Sequence, residues 1–116
     1  MNDLIQNFIS SRFPITGLAA YNVYRSDTVI DSQCLSKSLY ASSADQLLGR
    51  FVKRGRALLP SGKQPAHYCW TFEAHQIYVA ARADGHSLAL LVENNISVQR
   101  ASIRDILQGF LDIREE

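Results

Sequence analysis

The sequence predicts an α+β fold, a single five-stranded antiparallel sheet with helices on both faces, in the order αββαβββα. Three observations lead to this prediction. Three segments repeat apolar residues at helical spacing, and five short runs are rich in β-branched and aromatic residues. Several of these runs are apolar on both faces, as expected of a sheet that is covered on both sides. In the last run, Leu88, Leu90 and Val92 point to one face and Ala89 and Leu91 to the other. The length, 116 residues, suits one domain that spans residues 1–116.

The first half of the chain predicts a helix followed by a hairpin. Apolar residues at helical spacing indicate a helix over residues 2–13, and Pro14 ends it because proline cannot continue the hydrogen-bond ladder. Two apolar runs, residues 17–24 and 28–35, then flank a turn-prone triplet at 25–27. We expect these runs to pair as antiparallel strands.

The second helix is predicted to begin at Ser43, because Ser43 and Gln46 have capping-box spacing. Its two sides differ in chemistry, which indicates a helix that packs against the sheet on one side only. The apolar stripe comprises Ala44, Leu47, Leu48, Phe51, Val52, Gly55, Leu58 and Leu59. The opposite side holds Arg50, Lys53 and Arg56, with Arg54 at the edge of the stripe.

The second half predicts three strands and a helix. Residues 67–74 and 76–83 flank a tight Ala-His turn, and Asp84-Gly85 favours a type I′ turn before residues 86–93. Ser97 is expected to cap the last helix. One face of that helix is apolar and comprises Ile103, Ile106, Leu107, Phe110, Leu111 and Ile113.

The basic side of the second helix leaves three interpretations open. It can be a solvated face, a surface for an acidic or polar protein, or a contact for nucleic acid phosphates. The net charge of +1 gives no overall attraction to nucleic acid, which makes the third interpretation the weakest. A phosphate loop at Gly62-Lys63 is excluded, because Ala57 stands where its first glycine belongs and Gln64 replaces the metal-binding hydroxyl.

No pattern in the sequence predicts a catalytic residue, a metal or a cofactor. We expect Cys34 and Cys69 to be reduced and buried. His67, Cys69 and His75 could hold zinc only if a fourth ligand came from elsewhere. The N-terminus lacks a signal-peptide pattern and no stretch is apolar enough to span a bilayer, so we expect a cytoplasmic protein without membrane insertion.

Beyond the element order, three stretches resemble the roadblock/dynein light chain family. They are FPITGLAA at residues 13–20, ADQLLGR at 44–50 and ADGHSLALLV at 83–92. Profilin-like, longin and PAS-type domains share parts of this layout. The resemblance implies a non-enzymatic homodimer, or a heterodimer with a related chain, in which the second helices pack together and the third strands join into one sheet. Similar proteins bind or regulate small Ras-like GTPases, or act as adaptors for motors and signalling complexes.

The residues give a separate reason to expect a dimer. The third strand would lie at the edge of the sheet, and it is aromatic and free of proline and lysine, so an unpaired copy would be prone to aggregate. Pairing with a second copy removes this hazard. We therefore expect a dimer contact at Phe51, Val52, Tyr68, Trp70 and Phe72, and partner binding through Arg50, Lys53, Arg54 and Arg56. The alternative is that these aromatic side chains serve only the core of one subunit.

Two other functions remain open at this point. One is a PAS-like or profilin-like sensor that holds a small molecule between the sheet and a helix. The other is a nucleic-acid accessory protein that uses the basic side of the second helix.

Overall fold

The predicted element order is confirmed in the structure, a computed structural model. It describes residues 3–12, 18–25, 28–34, 41–57, 66–72, 75–82, 85–93 and 100–113. The elements are α1 (Asp3–Arg12), β1 (Leu18–Arg25), β2 (Thr28–Cys34), α2 (Ala41–Ala57), β3 (Ala66–Thr71), β4 (His75–Ala81), β5 (His86–Glu93) and α3 (Arg100–Asp112).

The five strands form one antiparallel sheet in the order β2-β1-β5-β4-β3. Strands β1, β5 and β4 are interior and nearly all their side chains are buried. Strand β2 is the edge on one side and is mostly exposed. Strand β3 is the edge on the other side, so the sequence was right to place the aromatic strand at an edge.

Helices cover both faces of the sheet, as predicted. Helices α1 and α3 pack on one face with Leu88, Leu90 and Val92 of β5. Helix α2 packs on the other face with Ala89 and Leu91. The period-2 alternation of a strand sends neighbouring side chains into opposite layers, so β5 contributes to two separate cores. The predicted apolar face of α3 is buried or half-buried along its length.

Helix α2 differs from the prediction at two places. It begins at Ala41, two residues before the expected cap, and Ser43 lies inside its first turn with an exposed side chain. Ser43 is therefore not the N-cap, because Ala41 and Ser42 do nothing to interrupt a helix. Leu47, assigned to the apolar stripe, is 37% exposed. The stripe that reaches the sheet is narrower and comprises Ala44, Leu48, Phe51, Val52 and Gly55.

The β3–β4 hairpin turns one residue earlier in the chain than predicted. The Phe72 amide donates to the His75 carbonyl at 2.8 Å, which closes the hairpin around residues 73 and 74. His75 is therefore the first residue of β4 and not part of the turn. Strand β3 ends at Thr71, before the expected residue 74.

Several predictions fall outside the described residues, namely the cap at Ser97, the turn residue Asp84, Leu58 and Leu59, and the loop with Gly62-Lys63. Gly85 has a φ of 95°, a conformation that favours glycine. The expectation of buried thiols is wrong, since Cys69 is exposed on the edge strand and Cys34 is half-buried; neither forms a disulfide. None of the described helices has the length and apolarity needed to cross a membrane.

Candidate functional site

Four aromatic side chains of α2 and β3 form a cluster at the edge of the sheet. This aromatic edge cluster comprises Phe51, Tyr68, Trp70 and Phe72. The centroid of the Phe51 ring lies 5.0 Å from that of Trp70 and 5.6 Å from that of Phe72. The Tyr68 and Trp70 ring centroids are 6.1 Å apart. The cluster exists because alternate β3 residues point to the α2 face. Phe51 anchors it in the core, while Phe72 is 46% exposed.

Val52, the fifth residue expected at the dimer contact, lies elsewhere. It is buried between α2 and the sheet and borders a groove on the side of α2 that faces the β1–β2 hairpin. The structure therefore brings together four of the five expected contact residues.

The backbone of β3 carries an unused row of hydrogen-bonding groups. Since Phe72 bonds to His75, the alternation of an antiparallel ladder directs the N–H and C=O groups of residues 66, 68 and 70 toward β4. The same alternation directs those of His67, Cys69 and Thr71 outward. Within the described part of the chain no strand lies beyond β3 to accept them.

A groove of about 330 Å³ runs between α2 and the end of the β3–β4 hairpin. We call it the edge groove. Its exposed apolar side chains are Leu47 and Phe72, at 37% and 46% exposure. The Arg54 guanidinium lies over the Phe51 ring at 5.5 Å and also borders this groove. Apolar surface beside a flat, ring-stacked guanidinium is common at the centre of protein interfaces.

The basic residues of α2 do not all border the same groove. Arg50, Lys53 and Arg54 are exposed, and Arg56 is half-buried. Arg54 borders the edge groove, Lys53 borders the groove on the other side of the helix, and Arg50 borders both. The predicted partner-binding residues thus divide between two sides of α2.

The second groove, of about 350 Å³, lies between α2 and the β1–β2 hairpin, and we call it the hairpin groove. The Tyr24 hydroxyl reaches it from a side chain that is only 4% exposed. That hydroxyl accepts a hydrogen bond from the Asn22 side-chain amide at 2.9 Å. Burial raises the pKa of Tyr24, the hydrogen bond from Asn22 lowers it by less, and the Asp45 carboxylate adds a further rise, so the hydroxyl keeps its proton at neutral pH.

The residues considered for zinc are not brought together. His67 and Cys69 line a third groove, beside Arg104 of α3, whereas His75 lines the edge groove on the opposite face of the sheet. Among the residues that the structure describes, no three His, Cys, Asp or Glu side chains form a group that could hold a metal ion.

Sequence reasoning missed several residues that border the two grooves. Leu47 was assigned to the core and His75 to a turn, yet both line the edge groove. Tyr24 and Gly49 line the hairpin groove. The pattern of a single strand or helix gives no signal for such residues, because the groove forms only where two separate segments meet.

Comparison with solved structures identifies the architecture. A Roadblock/LC7 domain from Streptomyces avermitilis has a TM-score of 0.61 at 15% identity, covering 96% of this chain and 91% of that one. The gliding protein MglB from Thermus thermophilus has a TM-score of 0.63 at 12% identity, covering 95% of this chain and 84% of that one. This chain has the roadblock fold. An MglB structure with a tetrameric arrangement scores 0.66 at 11% identity, covering 95% and 84% of the two chains.

These likenesses confirm the expected fold. No protein-family model matches the sequence, and no curated protein matches it. At identities of 11–15% the likeness concerns the fold alone. The roadblock fold places the aromatic edge cluster, the edge groove and the hairpin groove around the same helix, α2.

Proposed function

We propose that this protein is a non-enzymatic homodimeric adaptor whose two subunits join through β3, and that the joined surface binds a small Ras-like GTPase or a related signalling or motor protein. The self-association proposed here is in line with the tetrameric arrangement of an MglB with the same fold. The partner class rests on the resemblance to roadblock proteins. The dimer rests on an observation made on this chain, the difference between its two edge strands.

The edge strands β2 and β3 have opposite character. The pairing of β2 with β1 shifts register at Val23 and Tyr24 of β1. Strand β2 also carries Asp31, whose carboxylate accepts a hydrogen bond from the Tyr21 hydroxyl at 3.5 Å. Irregular pairing and charge are features that discourage edge-to-edge association. Strand β3 pairs regularly over its whole length, contains no acidic or basic side chain other than His67, and packs next to exposed Phe72. It is the edge suited to a second copy.

The direction of the free groups favours one register for that pairing. In a two-fold antiparallel pair, outward-facing residues must lie opposite outward-facing residues. Centring the two-fold axis on Cys69 uses all of the free groups, with His67 opposite the partner's Thr71. On the α2 face, Tyr68 then lies opposite the partner's Trp70, an aromatic cross-strand pair that adds stability. Shifting the centre by one residue leaves free groups unpaired.

The oligomer is tested by size-exclusion chromatography with light scattering. We expect about 26 kDa at micromolar concentration, twice the 13.0 kDa of one chain. The heterodimer with a related chain is the alternative form of the same proposal, and a 13.0 kDa particle that associates with no related chain would contradict both.

The partner is tested by co-elution with small Ras-like GTPases from the same cell, each loaded with GDP or a non-hydrolysable GTP analogue. We expect one GTPase to co-elute in one nucleotide state, and a variant with Arg50, Lys53 and Arg54 changed to glutamate to lose it. Retention of the GTPase by this variant would remove the basic side of α2 from the proposal.

A further inference from the structure

We infer that the hairpin groove is a docking slot for an acidic side chain of a protein partner, whose carboxylate accepts a hydrogen bond from Tyr24 between Arg50 and Lys53. This inference rests on the proposed role as a protein-binding adaptor and names the chemistry of the partner. The groove lies on the side of α2 away from β3, so the proposed pairing leaves it open.

The Tyr24 hydroxyl is a buried donor that is held in place and still has a proton to give. A phenol has one proton and can accept as well as donate. The Asn22 amide donates to its oxygen, and both side chains are at least nine-tenths buried. No hydrogen bond from the Tyr24 proton to another described residue is present. An acceptor that enters the groove would form a hydrogen bond with this hydroxyl. Because the hydroxyl is fixed in position, it would favour an acceptor at one place in the groove.

Gly49 leaves the approach to that hydroxyl clear. It lies on α2 directly across from Tyr24, and a Cβ added there would sit 3.5 Å from the hydroxyl oxygen. Any larger side chain at this position would occupy the space through which an acceptor reaches the donor. The helix therefore carries its smallest residue where it faces the Tyr24 hydroxyl.

The charges along the groove select an anion at one end. Arg50 and Lys53 are exposed cations on the wall formed by α2, one residue and one turn beyond Gly49. Asp45 lies one turn before Gly49, about 12 Å from Lys53 along the helix axis, so its charge repels a carboxylate at Tyr24 toward Arg50 and Lys53. Half-exposed Val29 on β2 offers apolar contact to the methylene groups of an entering side chain. An aspartate or glutamate side chain matches this combination.

The test uses the full-length protein, labelled with ¹⁵N and with ¹³C in its tyrosine rings, and an N-acetylated octaglutamate peptide as the probe. We expect the largest amide shifts at Gly49, Arg50 and Lys53, and a shift of the Tyr24 Cζ resonance that reports a new hydrogen bond at the hydroxyl. Octalysine should produce neither change. Equal binding of octalysine, or binding that leaves the Tyr24 ring unperturbed, would overturn the inference.

Three variants separate the slot from general attraction between charges. Lys53→Glu should lower the affinity for octaglutamate about tenfold. Arg54→Glu changes the net charge equally, but Arg54 borders the edge groove, so this variant should change the affinity less than twofold. Tyr24→Phe should also weaken binding about tenfold. Gly49→Ala should weaken it without harm to folding, because the added methyl group covers the hydroxyl. Equal losses in the two glutamate variants, or full binding in Gly49→Ala, would contradict the slot.

Nucleic acid is the competing occupant of a basic groove. If a twenty-nucleotide single-stranded RNA bound more tightly than octaglutamate and shifted the same resonances, the acidic-protein assignment would be wrong. Light scattering on the same samples keeps the two proposals apart. A dimer that does not bind octaglutamate overturns the slot alone. A monomer that binds octaglutamate and associates with no related chain overturns the dimer alone.

Discussion

Two helical glycines, Gly109 and Gly49, differ in how much space their surroundings leave for a side chain. Gly109 of α3 faces Phe8 of α1, and a Cβ added at Gly109 would lie 2.9 Å from one ring carbon and 3.2 Å from another. The Phe8 ring packs against the core between α1, α3 and the sheet, with its centroid 6.4 Å from that of Phe110. A Cβ added at Gly49 of α2 would lie 3.5 Å from the Tyr24 hydroxyl, an ordinary van der Waals contact.

We therefore expect Gly109→Ala and Gly49→Ala to change stability in opposite directions. The overlap with Phe8 costs about 1–3 kcal/mol and outweighs the gain in helix propensity, so Gly109→Ala should lower the free energy of unfolding. Gly49→Ala should raise it by about 0.5–1 kcal/mol. Urea denaturation at one protein concentration measures both. A Gly109→Ala protein as stable as the Gly49→Ala protein would show that α1 does not pack against α3 in this way.

The sequence predicted the burial of a side chain correctly where the period of its helix or strand determines which way that side chain points. The alternation of β5 assigned Leu88, Leu90 and Val92 to one layer correctly, because both of its faces are covered. Periodicity failed for Leu47, which has helical spacing for the core but lies at the margin of the buried stripe, where it lines the edge groove. The prediction for Cys69 rested on residue type, and it failed because a residue that is usually buried lies on the edge strand with an exposed side chain.

At the scale of one element, β3 offers a way to remove pairing without damaging the subunit. The Cys69 amide points away from β4, so a proline at this position removes no hydrogen bond within the sheet. Cys69→Pro should therefore remain folded, by circular dichroism, and become monomeric by light scattering. Cys69→Ser changes the same side chain but keeps the amide, and it should remain dimeric.

Either of two results would count against the β3 interface. A dimeric Cys69→Pro protein would mean that the subunits meet elsewhere, and a monomeric Cys69→Ser protein would mean that the thiol, not the backbone, holds them together.

Element boundaries show why sequence reasoning located β5 correctly but misplaced the start of α2. Strand β5 occupies the predicted residues 86–93, since a turn glycine precedes it. Helix α2 starts earlier than its capping-box spacing indicated, because Ser43 and Gln46 fit a cap and also fit a helix interior. Their spacing alone cannot separate the two.

For the whole molecule, the sequence predicted the layers and the free edge but not the grooves on either side of α2. The layers follow from which faces are apolar, a property of each segment by itself. The hairpin groove depends on Tyr24 and Gly49, which are twenty-five residues apart and meet only because α2 crosses β1 at that point. No local pattern carries this information.

The central claim is that two copies of β3 pair about Cys69, and cysteine cross-linking tests it most directly. In that register the two Cys69 Cα atoms lie about 5.5 Å apart, within the range of a disulfide. Oxidation with copper phenanthroline should link the subunits, Cys69→Ser should prevent the link, and Cys34→Ser on the other edge should not. In a background without cysteines, His67→Cys mixed with Thr71→Cys should link, and neither variant should link to itself. Linkage through Cys34, or self-linkage of His67→Cys, would contradict the account.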